Sequence, residues 1–252
     1  MYPVLIEIGP LTIHSYGFFI ACAFLIGMWV ARREAPQYGL NPQFVPDLAF
    51  YLIVSAIVGS RALYVLLDPG PFWENPLLVL QFWKGGLVFV GGVVAAGATA
   101  WVIIRFKGEP FWKWADVFAP AIAAGQFIGR IGCLMAGCCY GKTTSLPCAV
   151  TFTHPQSLAP LHIPLHPTQI YHSLAGLVTC VVLLSLRTRL PIPGQRFGLF
   201  LILYAAFRIG IEFFRGDFRG VLGPFSLTQT VAGIIFCLGV VIFTMKGRSA
   251  NA

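Results

Sequence analysis

Seven runs of about 20 apolar residues dominate the sequence of 252 residues. A run of this length matches one α-helical crossing of the roughly 30 Å hydrocarbon core of a membrane. Only 10% of the residues are charged, against about 25% in soluble domains, so the chain has too little charge to coat a soluble surface. The sequence therefore predicts an all-α integral membrane protein with seven transmembrane helices. The approximate bounds of the runs are 11–31, 47–67, 86–105, 114–136, 168–186, 197–214 and 225–245.

The connections between these runs indicate one domain with a defined orientation. No internal repeat or low-complexity segment is visible, so residues 1–252 are expected to form a single seven-helix membrane domain. Basic residues favour alternate connections, and they concentrate on the cytoplasmic side of membranes. This bias predicts a cytoplasmic C-terminus, a periplasmic N-terminus and an outward-facing loop at about 137–167, and it explains the net charge of +8 without a nucleic-acid partner. The cytoplasmic set is Arg32, Arg33, Arg105, Lys107, Lys113, Arg187, Arg189, Arg196, Lys246 and Arg248, against Lys84, Lys142, Arg215 and Arg219 outside.

Besides the basic residues at the ends of the runs and in the connections, three arginines lie inside the apolar runs, at Arg61, Arg130 and Arg208. An arginine at the centre of a membrane helix costs roughly 2.5–3.5 kcal/mol on insertion scales, so each needs a compensating partner. At about 1.5 Å of rise per residue, the predicted topology puts all three in the outer half of the membrane. Glu212 follows Arg208 by four residues, and the two are expected to form an ion pair that is either structural or part of a site. Arg61 is expected to meet a backbone carbonyl group or Asp116.

The stretch around Arg130 carries the clearest sign of a binding site. Residues 125–141 read GQFIGRIGCLMAGCCYG, and no acidic residue lies within a helical turn of Arg130. The uncompensated charge therefore predicts an anionic ligand. Gly125 and Gly129 have the spacing of close helix packing, whereas backbone N–H groups from Gly132 to Gly141 could also face an anion.

Other stretches have two interpretations each. The segment GGLVFVGG at 85–92 either lines a cavity or forms a packing notch between helices. His166, Gln169 and His172, where the fifth run begins, either face the site or have structural hydrogen-bond partners. Tyr16 is either a site residue or an aromatic side chain at the membrane interface.

Four cysteines lie close together in the sequence, at Cys133, Cys138, Cys139 and Cys148. Their spacing contains no Cys-x-x-Cys pair, so no zinc site and no other metal is expected. A disulfide from Cys148 to Cys138 or Cys139 is compatible with an outward-facing loop, because that side of the membrane is oxidising.

Five segments resemble the prolipoprotein diacylglyceryl transferases of bacteria: HSYGFF at 14–19, GGLVFVGG at 85–92, GRIGCLMAGCCYG at 129–141, HPTQIY at 166–171 and YAAFRIGIEFFRGD at 204–217. The resemblance covers nearly the whole chain and agrees with seven helices and a periplasmic N-terminus. It implies an enzyme of the bacterial inner membrane whose partners are phosphatidylglycerol, membrane lipids and the signal peptides of prolipoproteins. Such an enzyme moves a diacylglyceryl group to the thiol of a lipobox cysteine, forming a thioether and releasing glycerol phosphate. No cofactor is expected.

The resemblance also implies roles for individual residues. Arg130 matches the arginine that holds the phosphate group of the lipid, and Gly141 closes the same motif. Gln169, in the segment HPTQIY, is expected to contact substrate. The resemblance marks four further polar positions around the cavity: Tyr16, Asp116, Arg208 and Glu212. Of these, Arg208 matches the second arginine tied to activity.

Three positions depart from the family pattern. Val90 stands where a histidine proposed as the base is often found, Cys133 where asparagine is frequent, and His172 where glutamate is usual. These departures bear on proton transfer, because a free thiol with a pKa near 8.5 needs a base or a positive potential to become a thiolate. We expect His172 to replace the missing base in part. The alternative is that the potential of the arginines alone generates the thiolate.

Two other functions fit the same sequence. A diverged paralogue would keep the lipid-binding fold without the transfer reaction, and Val90 supports this alternative. A transporter of anionic solutes would also hold buried arginines, although the chain lacks the repeat that relates the halves of many transporters. A purely structural membrane scaffold fits least well, because three arginines within the membrane are costly without a ligand.

Overall fold

Seven long helices cover the seven predicted runs in the computed structural model, which describes residues 2–8, 11–217, 221, 222 and 224–248. The helices are α1 (Ser15–Glu34), α2 (Phe44–Leu67), a short α3 (Gly70–Glu74), α4 (Phe89–Phe106), α5 (Phe111–Ala136), α6 (Thr168–Ser185), α7 (Gln195–Glu212) and α8 (Leu227–Arg248). Three two-stranded antiparallel pairs join β1 (Val4–Ile8) to β2 (Leu11–His14), β3 (Val150–Thr151) to β4 (Pro164–Leu165), and β5 (Val221–Leu222) to β6 (Phe225–Ser226). Arg219, counted above in the loop charge, lies outside the described residues.

The first predicted helix begins later than expected. Residues 11–14 form strand β2 instead, which pairs antiparallel with β1 and has one register shift between Val4 and Ile6. The β-branched Thr12 and Ile13 favour this extended backbone. Helix α1 then begins at Ser15, whose backbone N–H donates to the carbonyl oxygen of Pro3 at 2.9 Å.

Six of the described helices are long and apolar enough to cross a membrane, judged by length and composition: Ser15–Tyr38, which extends α1 by one 3₁₀ turn, α2, α4, α5, α6 and α8. The chain is thus a multi-pass membrane protein. The remaining long helix, α7, holds three charged residues, Arg196, Arg208 and Glu212, within its 18 positions. The seventh span and the orientation of the termini stay predictions.

The chain divides into two compact units. The first unit contains residues Met1–Glu34 and Trp112–Ala252, and the second contains residues Ala35–Phe111. That residues 1–252 form one seven-helix membrane domain stays a prediction.

Small residues bring α1 and α5 of the first unit together in antiparallel contact. A Cβ atom on Gly27 would lie 3.3 Å from the carbonyl oxygen of Ala121, and one on Gly125 would lie 3.3 Å from that of Ala23. A Cβ on Gly129 would be in ordinary contact with the Ala23 side chain. The prediction that Gly125 and Gly129 serve close helix packing is confirmed.

The other helices of the first unit continue this antiparallel order. A Cβ on Gly176 of α6 would lie 2.9 Å from the backbone nitrogen of Phe127 on α5. A Cβ on Gly198 of α7 would lie 3.1 Å from the carbonyl oxygen of Gly239 on α8. The beginnings of α1, α6 and α8 therefore lie at the same end of the unit as the last turns of α5 and α7. We call this the Arg130 end, after Arg130 on α5.

Buried charges hold the opposite end of the first unit. Glu34, the last residue of α1, pairs with Arg196 at 2.9 Å and with Arg187 at 3.4 Å. The Arg196 side chain is completely buried, and its Nε donates to the carbonyl oxygen of Leu183 at 3.2 Å. Because Glu34, Leu183 and Arg196 belong to three different helices, this network ties α1, α6 and α7 together.

In the second unit, paired glycines let α2 and α4 pack in direct backbone contact. A Cβ on Gly59 of α2 would overlap the side chain of Ala95 and lie 2.6 Å from the carbonyl oxygen of Gly91. A Cβ on Gly92 would lie 2.9 Å from the carbonyl oxygen of Ala56. For Gly91 and Gly92, the packing notch is therefore the correct interpretation of the glycine-rich segment.

Arg61 in the second unit is bound by backbone carbonyl groups. Its Nε donates to Val79 at 3.0 Å, and its NH1 donates to Gly85 at 2.9 Å and to Gly86 at 3.0 Å. Its NH2 donates to Leu78. Positive φ angles at Gly85 (94°) and Gly86 (70°) turn these carbonyl groups toward the guanidinium, so the structural role expected of Arg61 is confirmed.

Replacing Gly59 with alanine is expected to lower the free energy of unfolding by about 1–3 kcal/mol, because the added methyl group overpacks the contact between α2 and α4. Gly97→Ala in α4 is the matched control, since no atom lies within 4 Å of its Cβ position. We expect Gly97→Ala to stabilise the helix by about 0.5–1 kcal/mol. Unfolding curves of both purified variants in detergent measure the difference, and equal effects would contradict the packing role of Gly59.

Candidate active site

Arg130 lies on α5, one and a half turns before the helix ends at Ala136. Its side chain is half-buried. Within the described residues, its guanidinium forms no hydrogen bond and no ion pair. A partly buried guanidinium without a protein partner retains its full capacity for a planar, two-point contact with an anion.

A second arginine at this end is held by two neighbours. Arg208 NH1 lies 2.7 Å from Glu212 Oε2, which confirms the predicted ion pair four residues apart. The same nitrogen lies 3.3 Å from Nε2 of His172, which is almost fully buried. Ser226 Oγ donates to Glu212 Oε1 at 3.0 Å. The side chains of His172, Arg208, Glu212 and Ser226 thus form one polar chain across α6, α7 and strand β6.

The hydrogen bond to Arg208 defines the state of the His172 ring. A guanidinium donates hydrogen bonds and cannot accept them. The Nε2 atom of His172 must therefore be the acceptor, which leaves the ring proton on Nδ1 in the neutral form. In this arrangement the imidazole accepts a hydrogen bond from Arg208. A proton transferred to Nε2 would therefore lie next to the positive charge of the Arg208 guanidinium.

Arg215, in the turn that follows α7, is a third cation at this end that sequence reasoning did not single out. Its Nε and NH2 atoms form a two-point contact with Asp217, at 2.7 and 2.6 Å. The positive charges of Arg130, Arg208 and Arg215 all act electrostatically on His172. The signal in the sequence was Asp217, two residues after Arg215.

Three thiols converge beside Arg130. The sulfur atoms of Cys133, Cys138 and Cys139 all lie within 4.8 Å of one another. Cys133 is in the last turn of α5, and the other two follow in a tight turn. Positive φ angles at Gly137 (78°) and Cys139 (62°) fold this turn back onto the helix. For a residue other than glycine this conformation costs roughly 1–2 kcal/mol.

Two buried side chains of α6 fix the cysteine turn. Gln169 Nε2 donates to the carbonyl oxygen of Cys138 at 2.8 Å, and Thr168 Oγ1 donates to that of Cys139 at 2.7 Å. Both α6 residues are fully buried. Gln169, predicted to contact substrate, therefore binds the backbone of the turn.

The pKa of the Cys139 thiol reflects these neighbours. Hydrogen bonds from the thiols of Cys133 and Cys138 lower the pKa, burial opposes this effect, and the positive charges of Arg130 and Arg215 lower the pKa further. The two arginines therefore favour a negative charge on this thiol.

Gly141 lies where three segments of the chain cross. A Cβ there would lie 2.6 Å from the carbonyl oxygen of His166 and 2.8 Å from that of Phe214. Its backbone N–H donates to His166 at 3.1 Å, and the N–H of Gly216 donates to Tyr140 at 3.2 Å. Gly141 therefore joins the loop after α5 to the loops before α6 and after α7.

Tyr16 is the second residue of α1 and lies at the same end. Its backbone packs on Gly132, where an added Cβ would lie 3.4 Å from the carbonyl oxygen of Tyr16. The side chain is 45% exposed, and it interacts electrostatically with Arg130 and with the three thiols. The structure thus brings Tyr16, His172, Arg208 and Glu212 to the Arg130 end, as expected for one site.

Asp116 is not part of this group. It lies 14 residues before Arg130 on α5, about 21 Å away along the helix axis. Its Oδ2 accepts a hydrogen bond from the N–H of Gly194 at 2.7 Å, and its Oδ1 accepts one from Phe197 at 2.8 Å. A carboxylate here caps the start of α7 and opposes the positive end of the helix dipole.

Two further positions named in the sequence analysis are Val90 and Cys148. Val90 is in the first turn of α4, in the second unit. Cys148 is exposed. All seven cysteines are among the described residues, and none of them forms a disulfide. The structure therefore does not contain the disulfide from Cys148 to Cys138 or Cys139 that the sequence left open.

Comparison with known proteins identifies the family. Residues 3–245 match the family described as prolipoprotein diacylglyceryl transferase. The chain belongs to this family. A relative from Clostridium tetani, named phosphatidylglycerol–prolipoprotein diacylglyceryl transferase, is 33% identical over 97% of this chain and 98% of its own length. Relatives of the same name from Bacillus velezensis (32% identical, covering 99% of this chain and 94% of the relative) and Symbiobacterium thermophilum (34%, 95% and 91%) agree.

The match to the prolipoprotein diacylglyceryl transferase family spans every residue of the Arg130 end described above. The curated relatives are named as transferases, so this fold is that of a membrane-embedded transferase family. The cluster of guanidiniums and thiols is thus the candidate active site of a member of this family.

Proposed function

We propose that the protein transfers the diacylglyceryl group of phosphatidylglycerol to the cysteine thiol of a prolipoprotein lipobox. A thioether forms and glycerol phosphate leaves. The observation that carries the proposal is Arg130, a half-buried guanidinium without a partner among the described residues. Family membership and the names of the relatives give the two substrates.

Arg130 binds the phosphate group of the lipid. A fixed positive charge in a site with little water stabilises the charge that develops on a leaving phosphate, because it needs no reorganisation during the reaction. The two-point contact also orients the phosphate so that the bond to the glycerol carbon faces the incoming thiol. Arg208, held by Glu212 and His172, adds positive potential to this site.

The other site residues position or line this centre. Tyr16 exposes its ring at the start of α1 and lines the path of the lipid. Gln169 and Gly141 fix the loops around the cysteine turn, and Asp116 fixes the start of α7 and hence the axis that carries Arg208. In this proposal only Tyr16 of these four residues contacts the substrate directly. Gln169, Gly141 and Asp116 act by holding other parts of the site in place.

We further propose that α7 is the seventh membrane span and that the Arg130 end faces the periplasm of a bacterial inner membrane. The charges of α7 that would oppose membrane insertion are compensated within the protein, since Arg196 pairs with Glu34 and Arg208 with Glu212. The distribution of basic residues supports the orientation. In this orientation the site draws phosphatidylglycerol from the outer leaflet, where the lipobox of an exported precursor also lies.

His172 is a positioning residue for Arg208 rather than the general base expected from the sequence. Its Nε2 accepts from Arg208 NH1, so the nitrogen that would take a proton already faces a cation. The hydrogen bond makes the orientation of Arg208 depend on an acceptor at position 172.

Replacing His172 with glutamine is therefore expected to retain most of the transfer rate, because the amide oxygen can accept the same hydrogen bond. His172→Leu is expected to reduce the rate by about tenfold, since removing the acceptor releases one contact worth about 1–1.5 kcal/mol. Steady-state transfer assays across a range of pH compare the two variants. If both variants lose the rate equally and the pH profile loses one ionisation, the residue is a base after all.

Transfer to a synthetic lipobox peptide tests the proposal itself. Purified protein in vesicles containing phosphatidylglycerol should convert the cysteine peptide to a thioether of higher mass and release glycerol phosphate in equal amount. A peptide with serine in place of the lipobox cysteine should stay unmodified. Binding of phosphatidylglycerol without transfer would instead support a diverged paralogue, and anion flux through sealed vesicles would support a transporter.

A further inference from the structure

The three thiols beside Arg130 form a cluster that the phosphate-binding role does not use. The sulfur atoms of Cys133, Cys138 and Cys139 all lie within 4.8 Å of one another. In the described part of the chain, no other group of three or more cysteine, histidine or carboxylate side chains lies as close together. Three thiolates at this separation are the typical donor set of a soft metal ion such as zinc.

The protein backbone is arranged to keep the three sulfur atoms together. Cys139 has a left-handed backbone (φ 62°), and Gly137 has one as well (φ 78°). The carbonyl groups of Cys138 and Cys139 each accept a hydrogen bond from a buried side chain of α6, Gln169 and Thr168 respectively. A metal site needs ligands held in this way by the residues behind them.

Among the described residues, two carboxylates at this end and His172 are engaged by arginines. The carboxylates at this end are paired, Glu212 with Arg208 and Asp217 with Arg215. The Nε2 atom of His172 accepts from Arg208. Positive charge near the incoming thiol, from the arginines or from a bound cation, is then a way to favour its thiolate.

We propose that Cys133, Cys138 and Cys139 bind one zinc ion, and that this ion takes the thiol of the substrate cysteine as its fourth ligand. The inference rests on the proposed transferase function. Zinc prefers four ligands, and catalytic zinc sites provide three from the protein and leave the fourth to water or substrate. Among soft metals, zinc fits this role because its charge stays fixed during the reaction.

The reaction balances with zinc in this role. When the substrate thiol binds the ion, its proton passes to solvent, because a thiol that coordinates zinc is deprotonated. The sulfur lone pair then forms the bond to the glycerol carbon of phosphatidylglycerol, and the bond from that carbon to the phosphate oxygen breaks. The electron pair leaves with glycerol phosphate, whose charge Arg130 stabilises, and the neutral thioether is a weaker ligand that can dissociate from zinc.

Charge around the cluster agrees with this assignment. Three thiolates and one Zn²⁺ carry a net charge of −1, and a fourth thiolate makes it −2. The guanidiniums of Arg130 and Arg215 act on Cys139 from nearby, so positive charge is available to offset the anionic cluster.

Metal content of the purified full-length chain gives the first test. Elemental analysis should find about one zinc per chain in the wild-type protein and far less in Cys133→Ser and Cys138→Ser. Cys237→Ser is the matched control, because this cysteine is exposed on α8 and outside the cluster, and it should keep its zinc. No zinc in the wild-type protein, or copper in its place, would overturn the proposal.

Cobalt replacement gives a second test on the unaltered chain. Wild-type protein loaded with Co²⁺ should show sulfur-to-cobalt absorption, and one equivalent of lipobox peptide should shift the visible bands toward those of four-thiolate cobalt. The serine peptide should leave the spectrum unchanged. If the cysteine peptide leaves the spectrum unchanged, the substrate thiol is not the fourth ligand. This test uses the wild-type protein, so its outcome does not depend on whether the cysteine variants fold.

The two proposals fail in different ways. Full transfer activity after zinc is stripped by a chelator would leave the transferase function intact and remove the zinc site from the reaction. Zinc and peptide thiol binding without any transfer from phosphatidylglycerol would leave the metal site and contradict the transferase function.

Discussion

Transfer of the diacylglyceryl group is expected to fall about 100- to 1,000-fold when Arg130 is replaced with alanine. This is the usual cost of removing one preorganised group that stabilises charge in a transition state. The effect should be large here because the guanidinium forms no hydrogen bond or ion pair with the described residues, so it is available to the substrate. Single-turnover assays with phosphatidylglycerol and a lipobox peptide measure the rate.

Two variants separate charge from geometry in this experiment. Arg130→Lys keeps the positive charge but loses the planar two-point contact, so it should recover only part of the rate. Lys142→Ala is the control, because Lys142 is an exposed cation that follows Gly141 directly, and its rate should stay close to that of the wild type. Wild-type transfer by Arg130→Ala would refute the central role of this residue.

The largest loss of stability is expected from Glu34→Ala, at the opposite end of the first unit. The variant removes the Glu34 carboxylate, which pairs with the fully buried side chain of Arg196 at 2.9 Å. Breaking a buried ion pair by removing one partner typically costs about 3–5 kcal/mol, because an uncompensated charge stays buried. Thermal unfolding in detergent should show a large drop in stability.

Two further variants test the cause of that loss. Arg187→Ala should cost less than about 1 kcal/mol, because the Arg187 side chain is 40% exposed and exposed ion pairs contribute little. The double variant Glu34→Leu with Arg196→Met should recover much of the stability, since apolar pairs can replace buried ion pairs at little cost. If Glu34→Ala unfolds like the wild type, the ion pair does not stabilise the fold.

The helices of this protein were predictable because hydrophobic length is a strong signal. All seven runs contain a long helix, and the ends agree within a few residues apart from strand β2 at residues 11–14. That strand was missed because residues 11–14 continue directly into the apolar run of α1. The pairing with β1 decides their conformation, and pairing is not visible in a hydropathy pattern.

The site was predictable in part. Arg130 was identified because a lone charge in an apolar run requires an explanation, and Arg208 with Glu212 because four residues is one helical turn. Asp116 was placed in the site by resemblance alone, and the hydrogen bonds to Gly194 and Phe197 that define its role join residues about 80 positions apart. Sequence spacing contains no information about such a contact.

The thiol cluster could not be predicted from spacing. Metal sites with short spacings are recognised by two cysteines separated by two residues. Here Cys133 is on a helix and Cys138 and Cys139 follow in a turn, and the left-handed backbone of Cys139 closes the distance. A left-handed conformation at a cysteine is uncommon, so no sequence rule anticipates it.

The crossing at Gly141 has a practical consequence for handling the protein. The chain leaves the crossing at Thr143 and returns at Leu165, where the two strands are bridged, so the loop between them is closed at its base. Its segment Ser145–Pro147 is exposed. An affinity tag or fluorescent label inserted there would report on the Arg130 end while leaving the crossing itself unaltered.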